Sequence, residues 1–118
     1  MVNSLTAPAS LGSMGVLKNH APLFTTLETG LLSYKKTGQE LEAYCLALDN
    51  GIMEVYNNHV LVLVQAAEKA QDIDLSRAQA ALTRAKERLA EHSKDLDVLR
   101  AEASIKRAQN RIRACQWP

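Results

Sequence analysis

Aromatic side chains are scarce here: three tyrosines, one phenylalanine and one tryptophan among 118 residues. Any core is therefore aliphatic, and the aromatic platforms that stack single-stranded bases are missing. An excess of one charge is missing too. The net charge is +1, well short of the basic balance, with a pI above about 9, that marks nucleic-acid binders. No run approaches the roughly 18 apolar residues of a membrane-spanning helix, and the N-terminus lacks the charged, apolar and cleavage regions of a secretory signal. The two cysteines, Cys45 and Cys115, have no metal-ligand spacing. They read as free thiols of a reducing compartment. Glycines occur singly, with no phosphate-cradling loop. His20, His59 and His92 share no ligand spacing, and no serine or cysteine has an evident base and orienting acid. The sequence offers no active site.

What is present divides in two. Residues 1–66 read as short strands separated by turns, and residues 67–118 as helix. Charge divides with them: 4 basic and 6 acidic residues precede Asp72, against 10 basic and 7 acidic from Asp72 onward. In the first part, Val2 to Thr6 is a strand ended by Ala7-Pro8, and Gly12 to Leu17 is another. The loop Lys18 to Pro22 follows, with Ala21 held extended by its proline. Leu23–Leu27 and Leu31–Lys35 flank Gly30. Lys36-Thr37-Gly38 turns the chain into Gln39 to Leu48, where Leu41, Ala43, Cys45 and Ala47 share one face. Asp49-Asn50-Gly51 leads to Ile52–Tyr56, and Asn57-Asn58 suits a tight turn before the buried-looking run Val60–Val64. Short strands at this spacing predict a β-sandwich or flattened barrel. The whole is α+β: a β-sandwich followed by a helical hairpin.

The stretch from Asp72 to Arg113 carries the clearest pattern. Leu75, Ala78, Leu82, Ala85 and Leu89 recur at alternating steps of three and four, and Val98, Ala101, Ile105, Ala108 and Ile112 repeat that spacing. Each set forms one narrow stripe, as in two helices folded back on each other with Leu82 and Ile105 near mid-seam. The polar segment His92 to Asp97 supplies Ser93, Asp95 and Asp97 as candidate caps. Alanine at many seam positions lets the backbones approach closely. The larger aliphatic side chains contribute roughly 1.5–3 kcal/mol each, and only when fully buried. The seam is thin. The hairpin is expected to lie against something else and to be able to let go of it.

Arginines add a second pattern. Arg77 and Arg84 share a face of the first helix with Arg88 one turn on, and Arg100, Arg107 and Arg111 repeat the arrangement on the second. Folded together, the rows could line a groove suited to bidentate contact with phosphate or carboxylate. The alternative is a solvated face with intrahelical pairs such as Arg84 with Glu87 or Arg88 with Glu91.

Several segments, in order, resemble the epsilon subunit of F-type ATP synthases. Met14 to Leu23 is similar to that family's "GILPGHAPL" segment, Leu27-Glu28-Thr29-Gly30 to its "LKPG", and Gly51 to Val55 to its "GGFLEV". Val60–Val64 with Ala67-Glu68-Lys69-Ala70 resembles "VTVLADTAERA", and Asp72–Ala78, Arg100–Ala103 and Lys106–Ala108 continue the line. The family opens with a strand and most of a second upstream of Met1-Val2-Asn3, so the resemblance implies either a shortened chain whose sandwich lacks its opening strand, with an open edge at Val2–Thr6, or a sandwich that closes differently. Leu11 and Ser13 stand where acidic residues are common, and Lys18-Asn19 replaces Pro-Gly.

The resemblance implies a non-catalytic rotor subunit of the central stalk. It would couple proton flow to ATP synthesis and inhibit ATP hydrolysis through a mobile arm. Its implied partners are the gamma subunit, the membrane rotor ring and the alpha/beta catalytic head, with His20, Ala21 and Pro22 at a subunit interface. Its implied place is peripheral, on the cytoplasmic face of the cell membrane or an equivalent energy-transducing membrane. No cofactor is required, but Ile73-Asp74-Leu75-Ser76-Arg77-Ala78 fits the "I/L-D-x-x-R-A" motif of members that bind regulatory ATP. By that resemblance Glu68 and Asp74 would hold adenine or position the motif, while Arg77, Arg84, Arg107 and Arg111 would face the phosphates. The alternative is a free-standing adaptor or ATP-sensing module working through its hairpin.

Overall fold

The computed structural model describes residues 2–10, 12–38, 43–91 and 97–117. Eight strands come first: β1 (Val2–Ala9), β2 (Gly12–Leu17), β3 (Leu23–Leu27), β4 (Gly30–Lys36), β5 (Ala43–Leu48), β6 (Gly51–Tyr56), β7 (His59–Val64) and β8 (Ala67–Lys69). A short 3-10 turn, Ala70–Asp72, leads into α1 (Leu75–Glu91) and α2 (Val98–Cys115). All strand pairs are antiparallel, in the order β7-β6-β3-β1-β4-β5-β8, with β2 added on β1. The sheet curls on itself. Its concave side collects Ala7, Val16, Leu27, Leu32, Leu48, Met53 and Val55 into one buried aliphatic core, the expected flattened sandwich.

The strand reading needs four corrections. First, β1 does not stop at Ala7-Pro8 but runs to Ala9. Pro8 is tolerated because its carbonyl side faces the β3–β4 corner, where only an acceptor is used: the Glu28 N–H donates to Pro8 O at 2.9 Å. Second, Val2–Thr6 is not an open edge. Ser4 to Thr6 pairs with β2 on one side and β4 on the other. Third, Val60–Val64 is buried only in part: Val62 and Val64 pack half-buried on the core, but among the described residues β7 is an edge strand paired with β6, and Val60, Leu61 and Leu63 are exposed. Fourth, Ala67–Lys69 forms one more strand on β5 before the chain turns helical.

The face shared by Cys45 and Ala47 is a real one, but it is not the sandwich side. Leu46 and Leu48 pack on the main core, whereas Ala47 joins Ile73 and Ala114 in a second cluster under the helices. Leu41 and the Ala43 side chain lie outside the described residues, as do Ser93 and Asp95. Burial pushes the Cys45 thiol above its ordinary 9.0.

Turn chemistry places the hairpins. Asn57 and Asn58 take φ of 51° and 61°, so β6 and β7 meet through the two-residue turn expected of an Asn pair, with Tyr56 opposite His59. Gly30 lacks a side chain where a Cβ would lie 2.5 Å from Pro8 Cβ, which lets the β1 proline seat against β4.

The helices pack antiparallel along the predicted stripes. Ala78, Ala85, Ala101 and Ala108 are buried, whereas Leu82, Leu89, Ile105 and Ile112 are half-buried and Leu75 and Val98 exposed. The register is as expected. The alanines form the seam's centre, and the larger residues close over its flanks.

At Gly51 a Cβ would overlap the Leu63 carbonyl oxygen and come within 2.7 Å of Val64 Cα. Gly51→Ala is expected to cost about 1–3 kcal/mol by forcing β6 and β7 apart. Denaturant midpoints of the two proteins measure this, and equal midpoints would contradict it.

Candidate functional site

The second helix is pinned to the sheet near its C-terminal end. Asn110 is 2% exposed, unusual for a residue that hydrogen-bonds water readily and favours helix interiors little. Its Nδ2 donates to Gly30 O at 2.8 Å and to Leu48 O at 3.3 Å, two carbonyls that face each other where β4 and β5 pair. Its Oδ1 accepts from Arg113 Nη2 at 3.1 Å. One helix turn on, Ala114 packs with Ala47 and Ile73, and Cys115 Sγ donates weakly to Ile73 O at 3.6 Å. Two of these three buried residues are alanines, each methyl contributing about 0.8 kcal/mol. The apolar part of the dock is small.

Beside Asn110, Arg111 meets Glu68 of β8. Arg111 Nη2 donates to Glu68 Oε2 at 3.1 Å, and Nε lies 3.0 Å from Oε1 without pointing its hydrogen along that line. The two side chains are 30% and 40% exposed, so water and salt screen the pair. Glu68, Arg107, Asn110 and Arg111, with Thr29 and Asp49, line a cleft of about 40 Å³. It is room for a water molecule, far below the few hundred Å³ of a small-molecule site.

Three of the six residues tied to nucleotide by resemblance therefore share one cleft: Glu68, Arg107 and Arg111. Asp74 has a different occupation. It caps α1, its carboxylate accepting the Arg77 N–H at 3.2 Å and its carbonyl the Ala78 N–H at 3.0 Å. Asp97 does the same for α2, accepting the Arg100 N–H at 3.0 Å and the Ala101 N–H at 3.0 Å. The sequence carries the signal twice, as Ile73-Asp74-Leu75-Ser76-Arg77-Ala78 and as Leu96-Asp97-Val98-Leu99-Arg100-Ala101. In both copies Asp starts the helix, the backbone of Arg receives the cap, and Ala enters the buried seam. The motif is first a helix-start device.

Arg77, Arg84 and Arg107 are exposed. Arg107 Nη2 donates to Ser104 Oγ at 3.1 Å. Among the described residues the ion pair is Arg111–Glu68, and neither Arg84–Glu87 nor Arg88–Glu91 forms one. The guanidinium groups of Arg77, Arg84 and Arg107 have no carboxylate partner among the described residues.

Two surfaces lie at the far end of the sheet. His20, Ala21 and Pro22 form the β2–β3 loop, where His20 Nδ1 lies 2.7 Å from Ala21 O. The preceding Asn19, at φ 64°, clasps the β6–β7 turn: its N–H donates to Asn58 Oδ1 at 2.8 Å, and Asn58 Nδ2 returns a bond to Asn19 Oδ1 at 3.3 Å. Next to it, the outer face of β3, β6 and β7 carries Phe24 (65% exposed), Tyr56 and Leu61 around an exposed Glu54 that lies in register between Phe24 and Leu61, with Leu63 (55% exposed) at its far end. A wide groove of about 500 Å³ opens beside Thr26, Asn50, Ile52, Leu63 and Gln65, lined by no charged group. Sequence reading missed this largely apolar face, which joins single residues of β3 and β6 to Leu61 and Leu63 of β7 and becomes visible only once the strand order is known.

Two family models match the chain end to end. The one described as ATP synthase, Delta/Epsilon chain, beta-sandwich domain covers residues 1–70, and that described as ATP synthase, Delta/Epsilon chain, long alpha-helix domain covers residues 71–116. The ATP synthase epsilon chain of Geotalea daltonii is 52% identical over 88 residues, 75% of this chain and 62% of that one. That of Pelotomaculum thermopropionicum is 47% identical over 89 residues, 75% of this chain and 64% of that one. The chain thus spans somewhat under two thirds of these relatives. A chain of the Euglena gracilis mitochondrial ATP synthase superposes with a TM-score of 0.83 over 97% of this chain and 70% of that one, at 20% identity. One from the Tetrahymena thermophila mitochondrial ATP synthase central stalk and c-ring gives 0.58 over 98% and 80%, at 16% identity. At such identities the likeness is one of fold.

The two capping aspartates offer a direct check. Asp74→Ala and Asp97→Ala are each expected to lower stability by about 0.5–2 kcal/mol through the lost N-cap, with helical signal lost on heating before strand signal. Equal thermal unfolding of parent and both variants would remove the capping account.

Proposed function

Since the chain belongs to the ATP synthase delta/epsilon family, we propose that it is the epsilon subunit of an F-type, proton-translocating ATP synthase, a non-catalytic part of the central stalk. The observation that carries this reading is the succession of both family modules, sandwich then hairpin, in one chain. The outer apolar face of β3, β6 and β7 is the surface that grips a gamma-like chain, since apolar patches of this kind mark protein contacts. The His20–Pro22 loop, clasped to the β6–β7 turn, is the contact toward the rotor ring. Neither contact needs a membrane span, and among the described residues no helix is long and apolar enough to cross one. The subunit sits peripherally, on the cytoplasmic face of the coupling membrane.

The arm is the regulatory part. It lies on the sheet through a few polar contacts and a small apolar cluster, so a partner can compete for it. Undocked and extended into the alpha/beta head, it brakes ATP hydrolysis. Its unpaired arginines suit acidic partners, where charge mainly sets specificity and docking rate.

Regulatory ATP is the ligand proposed for the folded arm. Arg77, Arg84 and Arg107 supply guanidinium groups with no carboxylate partner among the described residues, the chemistry a triphosphate needs. The 40 Å³ cleft does not admit a nucleotide, so ATP would lie on the exposed surface of the arm beside these arginines, and Arg111 could join it only by leaving Glu68. A ligand that prefers the folded arm shifts the balance by its differential affinity and no more.

Co-expression with a gamma-like chain tests the assembly. The two are expected to co-purify, and Phe24→Asp to abolish the pairing while leaving the fold intact. A chain that stays monomeric beside gamma would indicate the free-standing adaptor instead. For nucleotide, calorimetry of the full chain is expected to show binding at millimolar ATP or tighter. Arg107→Ala should weaken it by about ten- to a hundredfold, the loss of one charge-assisted contact. No heat at millimolar ATP, or unchanged binding by Arg107→Ala, would leave the arginines as a protein-docking surface alone.

A further inference from the structure

We propose that Asn110 is the latch of the arm: its amide bridge to the Gly30 and Leu48 carbonyls holds α2 on the sheet, and its breaking is the step that releases the arm. The inference rests on reading the arm as mobile, and adds which contact governs the movement.

Among the described residues three sets of contacts join α2 to the sheet, and they differ in kind. Ala114 and Cys115 bring a small apolar contact to Ala47 and Ile73. The Arg111–Glu68 pair is 30% and 40% exposed and therefore screened. Asn110 alone puts hydrogen bonds where water does not reach, and bonds in such surroundings are at their strongest. The amide has no freedom to flip. Arg113 has only donors, so its bond at 3.1 Å identifies the acceptor end of Asn110 as Oδ1 and turns both Nδ2 hydrogens toward the carbonyls.

The same arrangement makes the latch reversible. When the arm leaves, Gly30 O, Leu48 O and the amide all take up water, so opening exchanges bonds and abandons none. Deleting the amide with the arm docked does abandon its bonds, because both carbonyls stay covered with no replacement for the amide's donors. Substitution at Asn110 is therefore expected to favour the open arm strongly while leaving the sheet's own ladder untouched.

A native reporter lies one turn away. Cys115 Sγ is held against Ile73 O by the docked arm, whereas Met53 of β6 is fully buried in the sandwich core, on the sheet face away from α2. Maleimide labelling of Cys115 in the full chain, followed by mass spectrometry, reads arm opening, and hydrogen exchange of the β6 amides around Met53 reads global unfolding. In the parent, Cys115 is expected to report a smaller opening free energy than the β6 amides. In Asn110→Ala and Asn110→Leu its rate is expected to rise about ten- to a hundredfold with β6 exchange unchanged, and in Glu68→Gln by no more than about fivefold. Four results would overturn the latch: parental Cys115 rates in Asn110→Ala, restored protection in Asn110→Leu (packing alone would then suffice), β6 exchange accelerating in step with Cys115, or Glu68→Gln opening the arm as far as Asn110→Ala. A parent in which Cys115 and the β6 amides report the same opening free energy would instead sink the mobile arm itself.

Discussion

The β4–β5 pair is apolar on both of its faces, and the rest of the molecule follows from that constraint. Leu32 and Leu48 point into the sandwich, while Leu31 and Ala47 point the other way, toward Ile73 and Ala114. A strand pair of this kind cannot leave either face in water cheaply. One side is closed by the curl of the sheet and the other by α2. The paired backbone supplies polar anchors as well, since the Gly30 and Leu48 carbonyls at its end accept from Asn110. Sandwich and arm are thus two answers to one strand pair.

Much of this was legible in the chain, because periodicity reports burial directly. The steps of three and four from Leu75 to Leu89 and from Val98 to Ile112 located both helices and their contact line. The Asn57-Asn58 pair located the β6–β7 turn, since few residues accept positive φ. What stayed hidden is what periodicity does not encode. Alternation at Cys45 and Ala47 revealed a buried face without saying which layer buried it. The run Val60–Val64 looked internal because an exposed interaction face and a core strand have the same composition. Pro8 looked like a strand end because a missing donor matters only when its partner side is known.

The repeated I/L-D-x-x-R-A segment shows how one pattern serves two levels. A motif tied by resemblance to nucleotide is, in this molecule, also the way each helix begins: Asp74 and Asp97 cap, Ala78 and Ala101 pack. Its two copies place Arg77 and Arg100 at the start of opposite helices, and therefore at opposite ends of the hairpin. A match to the motif thus speaks first for helix geometry. Any ligand chemistry is carried by the arginines around it, whose positions the caps fix.

The alanine seam has a kinetic side. Ala78, Ala85, Ala101 and Ala108 have no rotamers to re-sort, so parting and rejoining along their line rearranges only the half-buried Leu82, Leu89, Ile105 and Ile112 on its flanks and loses little side-chain entropy. Large interlocked side chains would add a barrier at each knob. Smooth helices held by a few discrete bonds can instead come and go on the microsecond-to-millisecond scale of collective motions. Such an arm gains speed of response where a more deeply packed one would gain permanence.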